Sequence, residues 1–241
     1  MAFWSRFYRE LANFRSPAPS SPGYQRAMDA ARHEMVRRQL QQRNIVDPQV
    51  LEVMSRVPRE LFVPPEWQNR AYEDRPLSIG EGQTISQPYI VALMTQLARP
   101  TPTSRALEVG LGSGYQTAIL AELCGEVFGI EILESLAASA RERLESLGYR
   151  NISVRCGDGY SGWPEHAPFD IVLVTAAPDH VPPNLLEQLA RGGRLIIPVG
   201  HVLQQLLLIE KQPEGDLKHT YISQVQFVPM TGEGTTASHT E

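Results

Sequence analysis

The sequence predicts an α/β fold: a mostly parallel, doubly wound sheet with helices ahead of it and an antiparallel hairpin behind. Three observations predict it. From Arg105 onward, short apolar runs that read as strands alternate with helical or loop segments, the pattern of parallel strands joined by crossovers. The first of these runs meets Gly110, Gly112 and Gly114 before a helical stretch, a turn that brings backbone N–H groups close to a ligand. Two strand-like runs near the end, joined by Gln212-Pro-Glu-Gly215, suit a hairpin at the sheet edge.

Taken in order, residues 1–24 read as a leader and linker. Phe3, Trp4, Phe7, Tyr8, Leu11 and Phe14 recur at helical spacing among charges, and a Pro/Ser-rich stretch follows to Gly23. Self-docking, simple disorder, partner binding and contact with a membrane surface are the readings open to this leader. Residues 25–234 read as one domain, with a helical and substrate-loop part (25–98), a cofactor-binding core (99–200) and C-terminal strands (201–234); residues 235–241 read as a flexible tail. Tyr24 to about Asn44 is helical in pattern, and Asp47-Pro48 starts a second helix that stops at Pro58. Residues 59–86 read mostly as loop, and a loop of that length is more often functional than not. Gln87–Ala98 reads as a helix with Ser86 as its N-cap. Strands are expected at 105–109, 126–130, 151–155, 169–175 and 193–199, then at 205–211 and 220–228.

Bulk properties narrow the function. A chain of 241 residues supports a sizeable core, and a net charge of −5 gives no basic field for nucleic acid. No apolar run approaches the ~18–20 residues that a membrane span needs. The two cysteines, Cys124 and Cys156, lack Cys-x-x-Cys spacing and read as reduced, buried thiols. The six histidines are scattered without metal-ligand spacing, so no metal is expected. These features suit a cytoplasmic protein, and a monomer is expected.

Glu108 decides what the glycine turn holds. A carboxylate two residues before Gly110 would repel a pyrophosphate and attract a ligand carrying an ammonium and a sulfonium, which points to S-adenosylmethionine rather than NAD. Glu131, at the end of the second strand, can accept hydrogen bonds from both ribose hydroxyls. Gly157-Asp158-Gly159 follows the third strand, where Asp158 can accept from an adenine amino group or can serve only as an Asp-Gly turn.

The acceptor side reads as a carboxylate. Amine methyltransferases commonly carry Asn/Asp-Pro-Pro-aromatic after the fourth strand, whereas this chain has Thr175-Ala-Ala-Pro178. Gly82-Gln-Thr-Ile-Ser-Gln-Pro88 supplies a hydroxyl at a helix start, a natural carboxylate site, although Ser86 can equally be a plain cap. A carboxyl of pKa about 4 is already ionised at neutral pH, so no base is needed. Joining a sulfonium cation to a carboxylate disperses charge, and a dry, orienting site favours that step.

The chain resembles the protein-L-isoaspartate (D-aspartate) O-methyltransferases from about Met35 to Glu233. The resemblance rests on Val57-Pro-Arg-Glu-Leu-Phe-Val63, Ile79-Gly-Glu-Gly-Gln-Thr-Ile-Ser-Gln-Pro88 and Leu107-Glu-Val-Gly-Leu-Gly-Ser-Gly-Tyr-Gln-Thr117. Gly157-Asp-Gly-Tyr-Ser-Gly-Trp163, Ala167-Pro-Phe-Asp170, Val174-Thr-Ala-Ala-Pro178 and Phe227-Val-Pro229 continue it. It implies a Rossmann-like class I S-adenosylmethionine-dependent methyltransferase. Such an enzyme would esterify the free carboxyl of L-isoaspartyl and D-aspartyl residues in damaged, unfolded proteins and peptides. The ester closes to a succinimide that partly reopens to aspartate, and S-adenosyl-L-homocysteine is the co-product. The resemblance places the active-site hydroxyl on Ser86 and cofactor contacts on Gln83, Thr84, Ile85, Ser86, Gly110, Gly112, Glu131, Gly157, Asp158 and Thr231. Leu111 departs from the small or hydroxylated residue usual between the first two glycines, and Val172 replaces an isoleucine. Another carboxylate substrate, or an adenosyl-binding scaffold that recruits a partner through its leader, are the alternatives.

Overall fold

The computed structural model describes residues 21–234, so the leader reading for residues 1–20 and the tail 235–241 lie outside the described residues. Helix α1 spans Pro22–Met35, its Ser21 hydroxyl accepting from the Tyr24 N–H at 3.1 Å, with proline in the first turn where no donor is lost. The expected continuation to Asn44 is not α-helical. A π turn at Val36–Leu40 and a 3₁₀ turn at Gln41–Arg43 replace it, and Asn44 ends the run at φ 69°. The wider turn leaves both Val36 and Leu40 buried. Helix α2, Pro48–Arg56, is capped as its sequence requires: the Asp47 carboxylate accepts from the N–H groups of Gln49 (2.9 Å) and Val50 (3.2 Å).

The segment expected to be mostly loop is more ordered than its pattern suggested. It contains 3₁₀ turns at Arg59–Phe62 and Pro65–Arg70, and then a hairpin of β1 (Leu77–Gly80) and β2 (Gln83–Ile85). Strands of four and three residues carry no readable alternation, and Gly80, Glu81 and Gly82 turn the chain with three consecutive left-handed residues. Beneath this segment Tyr72 donates to Glu60 while Arg32 donates to the Tyr72 oxygen at 3.3 Å, a buried polar knot between the N-terminal helices and the hairpin. Helix α3, Pro88–Ala98, begins one residue later than the Ser86 cap implied; Gln87 holds the N-cap position without a side-chain cap bond. Proline at the first position leaves one fewer orphan N–H for a cap to satisfy.

The main sheet contains β3 (Arg105–Val109), β4 (Glu126–Glu131), β5 (Ile152–Cys156), β6 (Phe169–Val174), β7 (Leu189–Val199), β8 (Gln204–Lys211) and β9 (Leu217–Val225), in the order β5-β4-β3-β6-β7-β8-β9. The first five strands pair in parallel and the last two antiparallel, as expected, with ends shifted by a few residues. Helices α4 (Tyr115–Ala121), α5 (Glu134–Ser146) and α6 (Pro183–Glu187) supply the crossovers. Leu107, Val109, Ile130, Val172 and Val174 bury their side chains on one face, so the Val172 exchange keeps a branched apolar residue fully buried. The strand order reverses beside β3, and ligands in such sheets bind at the carboxyl ends next to that switch. Both cysteines are free, but only Cys124 is buried; Cys156 is exposed at the end of the edge strand β5, which corrects the expectation of two buried thiols. Among the described residues no helix is long and apolar enough to cross a membrane.

Candidate active site

At the carboxyl end of β3 the chain needs to turn sharply while staying against its neighbours. Gly110 does so at φ 89°, and a Cβ there would lie 2.8 Å from the Thr175 hydroxyl oxygen, too close for any side chain. Thr175 has a purpose in that place: its hydroxyl donates to the carbonyls of Val109 (3.0 Å) and Gly110 and so ties the end of β6 to the turn. The carboxylate of Glu131 fixes the other side, accepting from the N–H groups of Gly112 (2.8 Å) and Leu133 (3.0 Å). Each carboxylate oxygen has further lone-pair capacity, which is what two vicinal hydroxyls would use. The departure at Leu111 is accommodated by β4: a Cβ on Gly129 would fall 1.9 Å from Leu111 Cδ1, so Leu111 occupies the space that a glycine leaves open.

Beside this turn lies a cavity of about 250 Å³. Gln83, Thr84, Ile85 and Ser86 enclose it from the hairpin side, Glu108, Gly110, Gly112 and Glu131 from the sheet side, and Thr231 from the C-terminal segment. Residues far apart in sequence thus meet around one space. The C-terminal contribution is fastened by a short parallel bridge, Ala177 N–H to Val228 carbonyl and Met230 N–H to Ala177 carbonyl, both 2.8 Å. At the tip of the hairpin the Glu81 carboxylate accepts from the Ser135 hydroxyl of α5 at 3.3 Å, which closes the rim. Ser86 is half-buried, and among the described residues nothing engages its hydroxyl.

Two predicted residues stand apart from the cavity wall. Gly157 and Asp158 do not line it, though Gly159 does. The Asp158 carboxylate accepts from the N–H of Tyr160 (2.9 Å) and of Glu233 (2.8 Å), so it caps its own turn and anchors the C-terminal segment. The plain-turn reading of Asp158 is therefore realised, with lone pairs left for a further donor.

The charge ascribed to Glu108 requires correction. Its side chain is fully buried, and neither oxygen has a hydrogen-bond partner; the Thr117 hydroxyl beside it is also without a well-formed bond. Burial pushes the Glu108 carboxyl up to about 8, the nearby Thr117 hydroxyl moderates this, and the Glu131 charge adds to it. At neutral pH Glu108 is mostly an uncharged acid unless a cation stands next to it.

Several wall residues escaped the sequence reading. Gln116 and Tyr115 occupy the first turn of the helix after the glycines, the turn that must face the cavity, and that position was a usable signal. Gln116 donates to the Thr95 hydroxyl at 3.0 Å. Thr175 could have been flagged as the residue at the end of the strand next to β3; Val228 and Pro229 belong to the Phe227-Val-Pro229 motif of the resemblance, and Met230 carries no signal beyond its apolar character. Among the described residues no group of three or more His, Cys, Asp or Glu side chains could hold a metal.

The chain as a whole is similar to known proteins. The family profile described as protein-L-isoaspartate(D-aspartate) O-methyltransferase matches residues 30–235. A protein-L-isoaspartate O-methyltransferase of Synechococcus sp. is 52% identical over 235 residues, covering 94% of this chain and 96% of the relative. One from Syntrophobacter fumaroxidans is 59% identical over 189 residues, covering 78% of this chain and 76% of that protein. Among solved structures, a protein-L-isoaspartate O-methyltransferase superposes with a TM-score of 0.77 at 29% identity, covering 85% of this chain and 67% of the other. A Plasmodium falciparum protein-L-isoaspartate O-methyltransferase, solved in complex with S-adenosyl-L-homocysteine, gives 0.73 at 27% identity, covering 83% and 98%.

Proposed function

The chain belongs to the protein-L-isoaspartate (D-aspartate) O-methyltransferase family, and from that premise we propose how its cavity serves the reaction. The activity is S-adenosylmethionine-dependent methyl esterification of the free carboxyl of isoaspartyl residues. When bound, the cofactor supplies an electrophilic methyl group on a sulfonium and leaves as S-adenosylhomocysteine. The site fits it: Glu131 has spare acceptor capacity at a strand end, the Gly110 turn exposes backbone, and the buried oxygens of Glu108 have no partner until a cationic ligand supplies one.

Each side chain then has a task. Glu131 holds the ribose hydroxyls, and Gly110 and Gly112 let the ligand approach the backbone. Gln83, Thr84 and Ile85 cover it from the hairpin, and Thr231 from the opposite rim. Gly157 and Asp158 are set back from the wall, and the lone pairs that Asp158 keeps beyond its two backbone bonds are assigned to the adenine edge. The Ser86 hydroxyl donates to one oxygen of the substrate carboxylate and aims the other at the methyl group. No base is assigned, because the nucleophile is already ionised. The enclosing walls exclude water from a step that neutralises two charges, and orientation does the remaining work.

The observation that carries this reading is the meeting of Ser86 with Gly110 and Glu131 around one cavity. Unfolded polypeptides and peptides with isoaspartyl or D-aspartyl residues are the proposed substrates, handled by a cytoplasmic monomer that has no nucleic-acid partner. Methyl transfer to an isoaspartyl peptide, read as labelled methanol after ester hydrolysis, should far exceed transfer to its normal aspartyl twin. Equal transfer to the two peptides would move the enzyme to another carboxylate. Cofactor binding without any methylated acceptor would turn the cavity into a scaffold.

A further inference from the structure

Glu108 is the one acid in the cavity wall without a well-formed hydrogen bond. Glu131 uses its carboxylate on two backbone N–H groups, whereas both Glu108 oxygens are shielded from solvent and have no well-formed hydrogen bond, only the Thr117 hydroxyl nearby. An ionised carboxylate in that setting is costly, and loss of charge relieves the cost. The groups that act on it are the Thr117 hydroxyl of α4, which moderates this, and Glu131 of β4, an acid, which reinforces it. The cavity wall beyond them is lined by Tyr115 and Gln116 of α4 and by Thr175 at the end of β6. Among the described residues no Lys, Arg or His acts on Glu108, and Glu131 is the charge that does.

We propose that Glu108 distinguishes the methyl donor from its demethylated product by exchanging a proton with solvent: neutral in the ligand-free cavity, it ionises against the cationic donor and is neutral again over the product. This rests on the reading that the cavity is the donor's site. The charge count supplies the discrimination. The donor carries a sulfonium and an ammonium against one carboxylate, so its methionyl part is a net cation. The product keeps only the ammonium and the carboxylate and is net neutral. A net cation stabilises an unpaired buried carboxylate far more than a zwitterion whose two fields oppose each other. The proton goes to bulk water as the donor binds, and one returns from water after transfer. Glu108 thereby binds the reactant strongly and loosens its hold once the methyl group has gone.

Titration calorimetry of the full-length protein tests this, with S-adenosylmethionine and S-adenosylhomocysteine in buffers of different ionisation enthalpy at pH 7. Wild type should release most of one proton more with the donor than with the product. Glu108→Gln should abolish that difference, and the donor's own amine titration, present in both proteins, cancels in the comparison. Donor affinity in wild type should rise nearly tenfold between pH 6 and pH 7, while Glu108→Gln stays flat and loses several-fold in its preference for donor over product. Equal proton release with both ligands, or a difference that survives the substitution, overturns the proposal. If the variant does not fold, infrared spectra of wild type decide: a carboxylic-acid band that vanishes with the donor but persists with the product supports it, and an unchanged band overturns it. Methyl transfer to the isoaspartyl peptide is measured on the same preparation. An active enzyme that binds its donor without releasing a proton keeps its proposed function and loses this inference.

Discussion

At the scale of single residues, Ser86 and Glu131 make separable demands. Ser86 is proposed to hold the acceptor carboxylate, so Ser86→Ala should lower kcat on an isoaspartyl peptide while cofactor affinity stays within a few-fold; a collapse of cofactor binding with normal turnover at saturation would reverse its role. Glu131 is locked by the N–H groups of Gly112 and Leu133, and truncation removes both an acceptor for the ligand and the clamp on the glycine turn. Glu131→Ala should weaken cofactor binding by about 1–3 kcal/mol, as for other buried acceptors of hydroxyl donors, measured by calorimetry. Their places on the cavity wall were legible because the cues are local: an acid at a strand end and a hydroxyl just ahead of a helix. The state of Glu108 was not. Its sequence position announces a negative charge, and only the depth of the cavity shows that the charge is withheld.

At the scale of elements, what was readable followed the length of the repeating pattern. The parallel strands announced themselves through short, largely apolar runs, and α2 through Asp47-Pro48; β3, β4 and α2 are realised nearly to the residue. Asp47→Ala removes the acceptor for two N–H groups and should cost about 1 kcal/mol of stability, seen as a lower denaturation midpoint with an unchanged slope. The β1–β2 hairpin escaped because strands of four and three residues are too short to establish a repeating pattern, yet it forms one wall of the site. The misplaced cap at Ser86 has a related origin. Ser-Gln-Pro reads as a hydroxyl cap from one dimension, but the helix starts at Pro88 with Gln87 as cap, and the Gln87 side chain instead donates to the Asp74 carboxylate at 2.8 Å. A serine set free from capping duty can spend its proton on a ligand.

At the scale of the whole molecule, the unpaired acid has a thermodynamic cost. The ligand-free native state holds the Glu108 proton up to about pH 8, whereas an unfolded chain releases it near the ordinary value of 4.5. Between those limits the native state binds more protons than the unfolded one, so this group's contribution to stability falls as pH rises and levels off above about 8. Glu108→Gln removes the dependence. Its melting temperature should exceed wild type at pH 8, the gap shrinking toward pH 5; a gap independent of pH would mean that the carboxyl does not titrate in this window. Saturating donor should narrow the gap at pH 8, since a ligand that binds only the native state supplies the missing counter-charge.

The bridge from Ala177 to Val228 and Met230 sets a timetable for the enzyme. A polypeptide still emerging from the ribosome can display the glycine turn, Ser86 and Glu131 long before residues 228–231 are available to complete the enclosure. The enclosure is therefore completed only after residues 228–231 have been made and paired with Ala177, and a cut just ahead of Val228 would sever that wall from the rest of the chain.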